Sequence, residues 1–104
     1  MHPGDLAIDR LTSKQRAHLR ALAHDLDPVV RIGKEGFTQS VKEAIVEAFN
    51  TRELLKIRVL DASPKGVHGI ANALDLDDVQ VVQIIGHVAI LYRPDPETPE
   101  IELP

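Results

Sequence analysis

Pro28-Val29-Val30-Arg31-Ile32-Gly33-Lys34-Glu35-Gly36-Phe37-Thr38-Gln39-Ser40-Val41 is the stretch that decides how this chain folds. It opens as a short β-branched run behind a proline, which reads as a strand over about 28–33. It closes at Thr38, a good N-cap, ahead of a helical pattern over about 39–51. Between them Gly33-Lys34-Glu35-Gly36 makes a strand-to-helix turn with a glycine at each end and a lysine inside. Glycine permits positive φ and close approach of another backbone. The first N–H groups of the following helix point at whatever rests on the turn, and the helix dipole favours an anion there. Such a turn can grip a phosphodiester backbone without reading bases. An isolated GxxG is also what an ordinary tight turn looks like, so the rest of the chain decides.

Outward from this stretch the pattern alternates helix and strand. Thr12-x-x-Gln15 fits a capping box and opens a helix. Leu11, Leu19, Leu22 and Leu26 share one helical face, with Arg16, Arg20 and His24 opposite and Lys14 to one side. Asp27-Pro28 ends that helix, since the residue before proline avoids helical φ/ψ. In the helix after Thr38, Val41, Ala44, Ile45, Ala48 and Phe49 mark the buried stripe. Leu54 to Leu60 alternates, with Leu55, Ile57 and Val59 on one side and Lys56 and Arg58 on the other, so the spacing predicts a strand in a sheet open to water on one face. Ser63 as N-cap and Pro64 at the first helical position predict a third helix with Val67, Ile70, Ala71 and Leu74 inside. A second GxxG, Gly66 to Gly69, falls within that helical pattern and reads as weak helix or close packing. Two strands, 79–85 and 88–93, join through Gly86-His87, which suits a type II′ hairpin. The order is α-β-α-β-α-β-β, an α/β (α+β) domain with a four-stranded mixed sheet and helices packed on it. Residues 1–10 read as a lead-in, 11–94 as the domain, and 95–104 as an extended Pro/Glu-rich tail with Ile101 and Leu103 as its docking residues.

Composition narrows the function. At 104 residues, 43% of them hydrophobic, the chain is long enough for one core. It has no cysteine, so disulfides, zinc–thiolate sites and thiol nucleophiles are excluded. The five histidines show no HxH or HxxxH spacing, and no Walker A, GxGxxG or Gly-x-Ser-x-Gly is present. Asp77 and Asp78 lie in an exposed connection rather than a catalytic pair. The expectation is a non-enzymatic, cytoplasmic protein without metal or cofactor. The net charge is −4, but unevenly spread: residues 1–66 carry 11 Lys/Arg against 9 Asp/Glu, and residues 67–104 one Arg against 7, or +2 and −6. Local potential on one face matters more to a polyanion than the total. Arg16, Arg20, Arg31 and Lys34 are expected on one surface, with the acidic 67–104 region away from it.

Several short stretches now coincide: Leu11-Thr12-Ser13-Lys14-Gln15, Leu22-Ala23-His24, Pro28 to Gly33, Gly36-Phe37-Thr38, Glu53-Leu54-Leu55-Lys56-Ile57, Val82-Gln83-Ile84-Ile85-Gly86 and Leu91-Tyr92-Arg93-Pro94. Together they resemble the CRM domain, most closely its stand-alone bacterial form, the YhbY family. The resemblance implies a KH-like fold whose GxxG loop and neighbouring basic residues contact RNA. It also implies association with precursors of the large ribosomal subunit; related domains in larger plant proteins serve group II intron splicing. Carried onto this chain, the RNA-binding set is Gly33, Lys34, Glu35 and Gly36 with Lys14, Arg16, Arg20 and Arg31, and Lys56, Arg58 and Arg93 at its margin. The acidic balance departs from the family's usual basic one, and leaves room for ribosomal protein as a partner beside rRNA. The expected protein is a monomeric assembly factor with few aromatics for base stacking, hence weak sequence preference. The alternative is a protein-interaction module on a ribonucleoprotein, with RNA contact incidental.

Overall fold

The computed structural model describes residues 11–104 except Asp75 and Asp77. The N-terminal lead-in, 1–10, lies outside the described residues. In chain order the elements are α1 (Ser13–Ala23), β1 (Val30–Ile32), α2 (Gln39–Ala48), β2 (Leu54–Val59), α3 (Val67–Ala73), β3 (Gln80–Ile85) and β4 (Val88–Tyr92). This is the α-β-α-β-α-β-β order read from the sequence. The sheet runs β1-β2-β4-β3, with β1 parallel to β2 and the β2–β4 and β4–β3 pairs antiparallel. It is therefore mixed, and β1 and β3 are its two edges.

The local signals act as their chemistry requires. Thr12 accepts the Gln15 N–H on its hydroxyl, and the Gln15 side chain accepts the Thr12 N–H, closing the capping box of α1. Thr38 caps α2 by accepting from Val41 N at 3.2 Å. Gly86 sits at φ +59°, and no non-glycine residue among those described has positive φ. The β3–β4 hairpin thus carries its left-handed residue at the first turn position, as type II′ demands. The third helix differs from expectation. It begins at Val67 behind Gly66 rather than behind Ser63. The Ser63 hydroxyl instead donates to the Lys65 carbonyl at 2.6 Å, a local turn that competes with capping.

The sheet buries both faces, unequally. Against α2 and α3 it packs Ile32, Leu55, Ile57, Val59, Ala89 and Leu91 with Ile45, Phe49, Val67 and Ile70. The opposite face carries a second core, in which Leu19 and Ala23 of α1 meet Leu54, Val82, Ile90 and Tyr92. The alternation along β2 predicts water on this face; α1 in fact covers its Leu54 end. Leu22, expected inside, is 46% exposed. The buried stripe of α1 is centred between Leu19 and Ala23, one turn apart, and this rotation brings Arg16 and Arg20 towards the sheet.

The C-terminal tail completes the second core, with Ile101 and Leu103 packed on it. Its anchor is Glu53, which sits just before β2 and is only 8% exposed. The Glu53 carboxylate accepts N–H groups from Asp95 (2.5 Å), Glu100 (3.0 Å) and Ile101 (2.8 Å), while its backbone carbonyl accepts from Arg93 (2.9 Å). Between these points the Asp95 carboxylate accepts from Thr98 and Glu97, and those bonds, Thr98 first, hold its pKa below the usual value. Burial, and then the charge of Glu53, push the Tyr92 phenol up. Replacing Glu53 with Gln keeps the volume but sets an amide NH2 against backbone donors. Stability should fall by about 1–3 kcal/mol, read as a lower midpoint in thermal unfolding with faster amide exchange at Ile101. An unchanged midpoint would mean that the tail is not held by this carboxylate.

Candidate nucleic-acid interface

The glycine loop grows from the C-terminal end of β1. The Ile32 carbonyl accepts from Leu60 N at 2.8 Å, which fixes the end of β1 beside the end of β2. Gly36 N then donates to the Gly33 carbonyl at 2.9 Å, closing a four-residue turn, and Thr38 N donates to the Gly36 carbonyl at 3.1 Å. The two glycines are not equivalent. Gly36 is buried at φ +73°, and a Cβ there would lie 3.5 Å from Pro64 Cδ. Gly33 has ordinary φ, and a Cβ there would meet only Leu60 Cδ1 at 3.9 Å. Lys34 and Glu35, between them, are exposed, and neither has a hydrogen-bond or ion-pair partner among the described residues. The turn leads directly into α2, whose first N–H groups face the loop side.

Beside the loop is a cleft of about 260 Å³, lined by Glu35, Phe37, Pro64, Lys65, Ile70 and Ala73. Its floor is apolar and Lys65 stands on its rim. The Lys65 stem lies where Gly69 lacks a side chain, 3.2 Å from a Cβ built there, which gives the second GxxG a packing role. Sequence reasoning missed Lys65 as a neighbour of the loop. The available signal was its place in the connection after β2, which the parallel β1–β2 pairing brings alongside the turn.

The other predicted cations divide by location. Arg31 is exposed on β1 and stands in register with Arg58 on β2. Arg16 and Arg20 lie at the opposite edge. Arg16 Nη1 donates to the carbonyls of Val81 (3.2 Å) and Val82 (2.7 Å), where the β3–β4 register shifts between Val81 and Gln83. Arg20 Nη1 donates to Gln83 Oε1 at 2.7 Å. Arg16 and Arg20 are thus engaged with β3, at the other edge of the sheet from β1, which carries Arg31 and leads into Lys34. Lys56 Nζ donates to the carbonyls of His24 and Leu26 and closes the C-terminal end of α1. Arg93 pairs with Asp78 at 3.1 Å and lies 5.9 Å from the Phe49 ring centroid. Lys14 is exposed on the first turn of α1. The expected position of Asp75 and Asp77 lies outside the described residues. Among those described, no group of three or more His, Asp or Glu is placed to hold a metal ion, and no helix is long and apolar enough to cross a membrane.

This architecture is a mixed α+β fold with a glycine turn between a parallel edge strand and its crossover helix. The chain belongs to the CRS1/YhbY (CRM) domain family, which it matches over residues 11–93. It is 39% identical over 95 residues to a Bacillus subtilis protein named "Probable RNA-binding protein YqeI", covering 90% of this chain and 99% of that one. It is 41% identical over 95 residues to a Haemophilus influenzae protein named "RNA-binding protein", covering 90% and 95%. The solution structure of the Staphylococcus aureus protein SAV1595 superposes with a TM-score of 0.74 at 38% identity, covering 91% of this chain and all of that one.

Two outcomes follow for the residues around the site. Gly36→Ala should cost about 1–2 kcal/mol because an L side chain is strained at positive φ, whereas Gly33→Ala should stay within about 0.5 kcal/mol. Equal losses in urea unfolding would contradict the asymmetry of the turn. Arg16→Ala strips two part-buried carbonyls of a charged donor and should destabilise by roughly 1–2 kcal/mol, while Lys14→Ala on the same helix should change stability by less than about 0.5 kcal/mol. If Arg16→Ala melts like the parent, its bonds to β3 contribute nothing.

Proposed function

We propose that this protein binds RNA through the Gly33–Gly36 loop and acts, without catalysis, in assembly of the large ribosomal subunit. The observation that carries the reading is Lys34: an exposed cation, unpartnered among the described residues, on a turn that opens into the N-terminus of a ten-residue helix. Nothing in the fold requires a lysine at that position. A phosphate on the turn gains the loop and first-turn N–H groups, the helix dipole and the ammonium together. Membership of the CRM family and the RNA-binding names of the Bacillus and Haemophilus relatives support the same reading. The ribosomal part rests on family resemblance, and a ribosomal protein is a compatible second contact. Glu35 is the one acid on the turn, so the contact requires its carboxylate to face away from the phosphate.

Lys34→Asp tests the loop. Position 34 is exposed, so the melting curve should move by less than about 0.5 kcal/mol. RNA affinity should fall strongly, and the salt dependence should flatten by about one unit of slope because one phosphate is no longer neutralised. A variant that melts normally and binds RNA as tightly as the parent would make the loop only a turn. A parent affinity that hardly changes with salt would favour a protein-docking role instead. Crosslinking in cells with sequencing of the attached RNA tests the ribosomal assignment, and recovery of mostly messenger RNA would overturn it.

A further inference from the structure

Among the described residues, helix α1 and the tail cover only part of the second sheet face. Register shows which part they leave open. Leu54, Tyr92 and Gln80 form one row across β2, β4 and β3 on that face, and Lys56, Ile90 and Gln83 form the next. Leu54, Ile90 and Tyr92 are buried under α1, Lys56 reaches the end of α1, and Gln83 meets Arg20. The row beyond is Arg31, Arg58, Val88 and Ile85, one residue from each strand. No described residue of α1 is hydrogen-bonded to it. Arg31 and Arg58 are exposed, Val88 is half-buried, and Ile85 is 50% exposed.

The composition of this row is unusual for a face that only meets water. Two arginines sit side by side in register, where like charges repel. Neither has an ion-pair or hydrogen-bond partner among the described residues, although the chain carries more acidic than basic residues. Beside them the same row turns apolar. A polymer with an anionic backbone and flat apolar bases matches both halves: guanidinium groups take phosphates with paired donors and also stack on bases. The row also lies at the loop end of the sheet. Arg31 is two residues before Gly33, and Leu60, next after β2, has its Cδ1 3.9 Å from the Cβ that Gly33 lacks.

We infer that RNA held by the glycine loop continues over this open end of the sheet, with Arg31 and Arg58 clamping its backbone and Val88 and Ile85 receiving its bases. The inference rests on the loop reading above and adds a second binding surface, on the opposite side of the sheet from α2 and α3. Arginine rather than lysine at both positions is part of it.

The test uses the whole chain and a labelled single-stranded RNA of mixed sequence. Arg31→Ala and Arg58→Ala should each weaken binding several-fold, with a salt slope shallower by about 0.7 for each single-strand phosphate that the variant leaves unneutralised. Arg58→Lys should recover the slope but not the full affinity. In the parent protein, the amide resonances of Val88 and Ile85 should shift during RNA titration, a measurement independent of how the variants fold. If Lys34→Asp weakens binding while both arginine variants bind like the parent and those amides stay still, the row is off the path and the inference falls with the loop reading intact. If the arginine variants weaken binding and Lys34→Asp does not, the loop reading fails, and with it a path that starts there. A photoreactive side chain at position 88 that captures protein from cells and no RNA would also overturn it.

Discussion

A four-stranded sheet has two faces to cover, and the described residues bring three helices to the task. Two of them, α2 and α3, lie on one side, where Leu55, Ile57 and Val59 form a continuous apolar strip along β2. Of the described helices, α1 is the one that packs on the other side. The remaining area is divided between the tail, pinned by Glu53, and a row at the loop end that no described element covers. Much that looks incidental follows from this division. Glu53 is buried because it has to order a proline-rich segment with little regular structure of its own. Tyr92 is buried because that segment lies near it. Lys56 is drawn off the surface to close the end of the covering helix.

The same division explains which cations are free. Arg16 and Arg20 of α1, and Lys56 beside its C-terminal end, donate to carbonyls or to a side-chain amide. Arg31, Arg58 and Lys34 lie past its reach. Charge on this protein is therefore sorted by coverage rather than by position along the chain, and a net charge of −4 says little about the potential at the loop end of the sheet.

Much of this fold is legible in the sequence where the governing interaction is local. Thr12 with Gln15, Thr38 before Val41, the alternation of β2 and the Gly86-His87 hairpin are all decided within a few residues. The errors fall where a distant partner decides. Leu11, Leu19, Leu22 and Leu26 suggest a stripe that the sheet rotates towards Ala23, leaving Leu22 outside and bringing two arginines to β3. Ser63 is the exception, decided locally: it has the makings of a cap, but its own turn claims the hydroxyl. Glu53 gives no local signal, because its three donors lie more than 40 residues away. Of the candidate site, the glycine turn is readable from spacing; the grouping of cations around it is not, since it depends on strand order.

Strand β3 carries Val81, Val82, Ile84 and Ile85 at an edge of the sheet, with no charged residue within the strand. Such an edge is a template on which another chain can add a strand. Here the ladder is broken by the bulge at Val82, and the guanidinium of Arg16 occupies the carbonyls of Val81 and Val82. An incoming strand would have to displace a charged donor and straighten the bulge before it could pair. The obstacle thus has two sources, a bulge in the strand itself and one arginine reaching over from a neighbouring helix.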